Sequence, residues 1–284
     1  MRLLHGRPVA ERINARTKER VTTLVSRGVT PRLDIVSVDA DPAATTYQER
    51  LERAGRHLGI EVRKIELPRA APERDVVSRL VAASEDATTS GVLMLTPLPA
   101  PLSEAHLVER IDPAKDVEGV HPYNAGLLAL GHQGFVPSTA EGVLELLRFH
   151  GIKIDGAHAV VIGRSPVVGR PAATLLLHAH ATVTLTHSRT ADLASHTRSA
   201  DIVVIGVGRP GMLRGEMLSR GATVIDAGIN VAPSGLVGDA DVDSVSAVAG
   251  ALSPVPGGLG AVTTALLLRN VVTAAERLRG DRLV

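Results

Sequence analysis

At 284 residues the chain is long enough for two domains, and its formal charge of +1 gives no electrostatic case for nucleic acid or an anionic membrane surface as a partner. Cysteine is absent, which excludes disulfides and thiolate chemistry and fits a cytoplasmic enzyme. No apolar run reaches the roughly 20 residues of a membrane helix, and aromatic residues are 1% of the chain, so Val, Leu, Ile and Ala must build the core.

Strand and helix patterns alternate along the chain. The opening stretch, MRLLHGRPVAERINARTKERV, lacks the apolar core of a signal peptide and reads as an amphipathic helix with Val9, Ile13 and Val21 inward. Leu33–Val38 reads as a strand, residues 43–58 as a helix, Gly59–Ile65 as a strand and residues 73–83 as a helix. Gly91–Leu95 is a third strand, closed by Pro97 and Pro99. Pro137-Ser138-Thr139 reads as a turn before a helix over Glu141–His150, which Gly151 stops. Four strands follow at Ala159–Ile162, Thr182–Thr186, Ile202–Ile205 and Thr223–Asp226, the second of them alternating, and a last helix runs over Val262–Arg279. The pattern predicts an α/β fold of mainly parallel sheets, with a division near residues 137–141.

The segment VVIGRSPVVGRP, residues 160–171, carries the chemistry. It is a buried strand, a glycine turn at Gly163 holding Arg164 and Ser165, then Gly169 and a helix-forming run. Backbone N–H groups at such a helix start favour an anion, and glycine admits a phosphate close to the backbone. By itself this turn is also compatible with a purely structural role. The next strand ends in His187-Ser188-Arg189-Thr190, without the acidic residue that selects the free ribose hydroxyl of NAD. Ser188, Arg189 and Arg164, with His187 as a helper, form a set suited to the 2′-phosphate of NADP.

Several segments together resemble one family, the bifunctional methylenetetrahydrofolate dehydrogenase/cyclohydrolases. They are VVIGRSPVVGRP, ATVTLTHSRT, ADIVVIGVGRPGML, VIDAGIN, KDVEGVHPYNAG, PSTAEGVLELL and SPVPGGLGAVTTALLLRN, in the family's order. The resemblance implies two domains: a substrate domain over residues 1–139 and 262–284, with the C-terminal helix returning to it, and a Rossmann-type NADP-binding domain over residues 140–261. It implies oxidation of methylenetetrahydrofolate by hydride transfer to NADP, then hydrolysis of the methenyl cation, in a homodimer that needs no metal. Cofactor contacts are expected at Gly163, Arg164, Ser165, Gly169, His187, Ser188, Arg189, Gly208 and Ile229. Substrate contacts are expected at Tyr47, Glu118, Pro256, Gly257 and Gly258, and Tyr47 and Glu118 are the expected catalytic residues.

The match breaks at the catalytic core. The family's Tyr-x-x-x-Lys pair is here Tyr47 and Leu51, and its glutamine in V-Q-L-P-L-P is Leu95. Leucine transfers no proton, and the nearby Arg50 and Arg53 do not deprotonate. The family's aspartate in D-V-D-G is Glu118, and Ala44 and Ala140 replace a serine and a proline. A buried glutamine without its lysine would cost about 1–3 kcal/mol, so joint replacement by apolar groups reads as coordinated remodelling. Three functions follow: a dehydrogenase with weak or lost cyclohydrolase activity, a paralogue acting on another imine-like substrate or folate adduct, or a non-catalytic dinucleotide-binding subunit.

Overall fold

The computed structural model describes residues 1–233 and 235–280. In chain order the elements are β1 (Arg2–Leu3), α1 (Arg7–Ser26), β2 (Arg32–Val38), α2 (Pro42–Leu58), β3 (Glu61–Leu67), α3 (Glu73–Glu85), β4 (Gly91–Met94), α4 (Glu104–Val108), α5 (Pro122–Ala129) and α6 (Ser138–Phe149). There follow β5 (His158–Ile162), α7 (Gly169–His178), β6 (Thr182–Thr186), α8 (Leu193–Thr197), β7 (Ile202–Ile205), β8 (Thr223–Asp226), β9 (Asn230–Ala232), β10 (Gly235–Val237), α9 (Val242–Ser246), β11 (Ala251–Leu252) and α10 (Leu259–Leu278).

The chain condenses into two compact units. One holds Met1–Glu11, Leu128–His132 and Pro137–Thr263. The other holds Arg12–Leu127, Gln133–Val136 and the chain from Thr264 onward. The division falls within α1 and within α10, so neither unit is a continuous stretch of chain.

The first unit is built on a six-stranded sheet in the order β1-β11-β8-β7-β5-β6, parallel throughout. β5, β7 and β8 are covered on both faces, which is why they read as continuous apolar runs. The order changes direction at β5: β6 lies on one side and β7 on the other. In open α/β sheets ligands bind at the carboxyl ends of the strands beside such a switch. β9 and β10 form a separate antiparallel hairpin.

The second unit is a three-stranded parallel sheet in the order β3-β2-β4. One face packs on α2 and α10 through Leu33, Ile35, Leu51, Leu93, Leu95, Leu267, Leu268 and Val271. The other packs on α3 through Val36, Val38, Val76 and Leu80. α2 is held at its start by Asp41, whose carboxylate accepts from the Ala44 N–H at 2.7 Å. It ends at Gly59, in the left-handed region at φ 87°.

Pro137-Ser138-Thr139, expected as a turn, is instead the start of α6. The Glu141 N–H already bonds the Pro137 carbonyl at 3.0 Å, so Ser138 and Thr139 lie in the first turn. Proline is tolerated there because a helix start has no partner for its missing N–H.

Candidate active site

The expected site residues fall into two groups, one in each unit. In the first unit, β5 runs into the turn at Gly163, whose φ is 114°. A Cβ there would meet the Gly206 carbonyl oxygen at 2.8 Å, and a Cβ on Gly169 would collide with the Gly163 carbonyl. The turn therefore requires bare backbone at both positions, as a phosphate cradle does. The Ser165 hydroxyl accepts from the Val168 and Gly169 N–H groups at 3.1 and 3.4 Å, and the Arg170 N–H bonds the Ser165 carbonyl. Ser165 thus fixes the entry to α7, while the Arg164 side chain is exposed.

Across the switch, β6 ends in a loop closed on itself. The His187 N–H bonds the Thr190 hydroxyl at 3.0 Å, and the Thr190 N–H bonds the His187 carbonyl. The His187 ring accepts from the Arg189 N–H through Nδ1 at 3.1 Å. This engagement makes His187 a brace for the loop. Ser188 and Arg189 are exposed at its tip, with no carboxylate among residues 187–190. Gly208 lies on the loop after β7, and Ile229 lies exposed just before β9. Pro256 and Gly257 are exposed before α10, with Gly258 buried behind them, and the Gly257 carbonyl accepts from the Gly6 N–H at 2.9 Å.

In the second unit, Tyr47, Leu51 and Leu95 belong to one apolar cluster. Leu51 is 0% exposed and Leu95 7%. Tyr47 packs against this cluster and carries the Arg50 guanidinium 5.1 Å from its ring centroid. Burial first, and then the nearby Glu118 carboxylate, pushes the Tyr47 phenol above its ordinary pKa; the Arg50 charge pulls the other way. The hydroxyl therefore stays protonated at neutral pH and can act as a donor.

Glu118 sits in a turn organised by Asp116, which sequence reasoning passed over. The buried Asp116 carboxylate accepts from the N–H groups of Gly119 at 3.1 Å and His121 at 2.8 Å, and from the Asn124 amide at 2.8 Å. Burial raises its pKa, opposed by those hydrogen bonds. Its aspartate-before-glycine spacing is an ordinary turn signal, which could have flagged it. A second missed pair is Gln48, whose side-chain amide donates to the Ser37 hydroxyl at 3.1 Å, both residues buried. Ser37 and Leu95 are the next positions along β2 and β4 after the paired Val36 and Met94. Polar groups thus stand beside Leu51 and Leu95.

Residues 4–118 match the family model for the tetrahydrofolate dehydrogenase/cyclohydrolase catalytic domain, and residues 137–279 match that for its NAD(P)-binding domain. The chain is similar to the bifunctional protein FolD of Parafrankia sp. (strain EAN1pec), with 49% identity over 276 residues, 97% of this chain and 99% of that one. It is similar in structure to the bifunctional FolD methylenetetrahydrofolate dehydrogenase/cyclohydrolase of Campylobacter jejuni, with a TM-score of 0.95, 38% identity, and 98% and 99% of the two chains covered. The Trypanosoma brucei methylenetetrahydrofolate dehydrogenase-cyclohydrolase, solved in complex with NADP cofactor and an inhibitor, has a TM-score of 0.92 at 35% identity, with 97% of each chain covered.

Proposed function

Because the chain belongs to the tetrahydrofolate dehydrogenase/cyclohydrolase family, we propose that it is an NADP-dependent 5,10-methylenetetrahydrofolate dehydrogenase of one-carbon metabolism whose methenyltetrahydrofolate cyclohydrolase activity is weak or lost. The observation that carries the second half is the burial of Leu51 and Leu95 in the apolar cluster where Tyr47 packs.

Dinucleotide binding belongs to the unit that carries Gly163, and substrate binding to the unit that carries Tyr47 and Glu118. The bare backbone at Gly163 and Gly169 fits a pyrophosphate at the start of α7. The exposed Arg164, Ser188 and Arg189 suit a ribose 2′-phosphate. NADP, when bound, supplies the nicotinamide that accepts a hydride. The protein supplies position. Glu118 holds the amino and ring N–H groups of the pterin, and Tyr47 stacks on it and donates from its protonated hydroxyl. Holding the donor carbon in place contributes much of such a rate.

Hydrolysis asks for more. Water must be activated and protons moved, and a positioned acid–base group contributes about 10²–10⁴-fold to such a step. Leu51 and Leu95 provide none, and the Tyr47 phenol is held in its protonated form. Dehydrogenation therefore outpaces hydrolysis. We also propose a homodimer. The hairpin residues Val231 and Leu236 are paired across their strands and exposed at 82% and 49%, an apolar surface that such an association would cover.

The test is purified protein with methylenetetrahydrofolate and NADP or NAD, following reduced cofactor and methenyl absorbance separately. Reduced NADP with persistent methenyl product supports the reading. Hydrolysis well above the buffer rate overturns its second half. The Gln48–Ser37 pair favours one further reading: a specialised paralogue in which polar contacts have moved to a different imine-like substrate. Absence of both activities on folate would point there.

A further inference from the structure

Three consecutive backbone N–H groups, from Val207, Gly208 and Arg209, converge on the carboxylate of Asp239 at 2.6, 2.9 and 2.7 Å. Such a run of N–H groups is an anion-binding nest, and here the chain's own side chain fills it. The Asp239 carboxylate also accepts from the Asn230 amide at 2.9 Å. One fully buried carboxylate therefore ties the loop after β7 to the start of the hairpin after β8.

A second buried carboxylate supports the first. Asp226, at the end of β8, accepts from the N–H groups of Gly228 at 2.8 Å, Asp239 at 3.0 Å and Ala240 at 2.8 Å. The backbone has no room for alternatives: a Cβ on Gly228 would collide with Asp239, and one on Gly238 with Asp226.

These loops stand at the carboxyl ends of β7 and β8, on the side of the switch away from β6. If the pyrophosphate lies at the β5 turn and the adenosine at the end of β6, the other half of a dinucleotide extends toward β7 and β8. Gly208 and Ile229, both expected cofactor contacts, sit on the two loops that Asp239 joins.

We propose that Asp239 is a positioning residue for the nicotinamide half of the cofactor, filling the nest of residues 207–209 and locking it to Asn230 so that both loops are set before the cofactor arrives. This rests on the NADP reading above. Its corollary is that the N–H groups of residues 207–209 are already used, so this loop meets the cofactor through carbonyl oxygens and bare backbone.

The test compares two ligands by titration calorimetry: NADP, and adenosine 2′,5′-bisphosphate, which lacks the nicotinamide half. The proteins are the unaltered chain, Asp239→Asn and Asn230→Ala. Asp239→Asn replaces one acceptor oxygen by a donor and should weaken NADP by about tenfold or more. Asn230→Ala keeps the nest filled and removes only the link between loops, so it should weaken NADP by less. Both variants should bind the bisphosphate as the unaltered chain does. Adding formate to Asp239→Ala should restore part of the lost NADP affinity by refilling the nest. Unchanged NADP affinity in Asp239→Asn overturns the proposal, as does an equal loss of both ligands. If Asp239→Asn does not fold, Asn230→Ala decides by the same comparison. An unaltered chain that binds neither ligand would show that the cofactor reading itself is wrong.

Discussion

At the residue scale, the proposed chemistry turns on Leu51 and Leu95, both of them buried. A lysine at 51 would enter a fully apolar cluster, where an unpaired ammonium is costly and tends to neutralise. Leu51→Lys alone should therefore lower the thermal midpoint and gain little hydrolysis. Leu51→Lys with Leu95→Gln gives the amine a hydrogen-bonding neighbour. The double variant should hydrolyse methenyltetrahydrofolate faster than either single variant, as stopped assays of methenyl absorbance would show. If the double variant is no faster than the better single one, the two positions are not a functional pair. Tyr47 gives a second expectation. Its phenol is pushed above its ordinary value, so the dehydrogenase pH profile should show no loss from its ionisation between neutrality and pH about 10. Tyr47→Phe should keep the packing and lower kcat/KM; unchanged kinetics would remove the tyrosine from the mechanism.

At the scale of elements, the β5–α7 turn and the β6 loop should separate cofactor choice from cofactor binding. Arg164→Ala removes an exposed cation and leaves the turn's hydrogen bonds in place. It should weaken NADP by about 1.5–3 kcal/mol and NAD by much less; equal losses for both would place Arg164 away from the 2′-phosphate. Ser165→Ala instead removes the acceptor for Val168 and Gly169, so it should weaken both dinucleotides together. These elements were legible in sequence. Ile202–Ile205 and Thr223–Asp226 are strands at the residues expected, because buried parallel strands read as unbroken apolar runs between turn signals, and Thr182–Thr186, only partly buried, is one because it alternates. The two-residue strands β1 and β11 left no such run, since distant pairing alone makes them strands, and the three-residue hairpin strands β9 and β10 are too short to carry a period. The Asp239 nest was hidden for the same reason. Its carboxylate meets Val207, 32 residues away, and neither position carries a local pattern. Leucine at 51 and 95, where the family resemblance leads one to expect lysine and glutamine, could be read from the sequence, whereas the Gln48–Ser37 bond required two elements to be packed together first.

At the scale of the whole molecule, part of the pH dependence of stability rests on a charge cluster beside the smaller sheet. Asp86 accepts from the hydroxyl and N–H of Thr88 and pairs with Arg32 and Arg63. The Thr88 hydrogen bonds, and then Arg32, hold its carboxyl well below the ordinary 3.8. The folded state therefore binds the Asp86 proton less readily than the unfolded chain. This contribution is fully present above the unfolded value and is lost as the pH falls below about 4. Asp86→Asn should lower the thermal midpoint at pH 7 and narrow its gap from the unaltered chain toward pH 3; a constant gap would exclude the linkage. The division of the chain within α1 and α10 has a further consequence, for the order in which the protein is made. Leu33, Ile35, Leu51 and Leu93 leave the ribosome well before their cover of Leu267, Leu268, Val271 and Val272, which lies more than 170 residues further along the chain. At about 5–20 residues per second, the interval is on the order of 10–50 s. The sheet is thus made long before α10 can complete it, and during that interval the part of its apolar face that α10 covers must be shielded by something else.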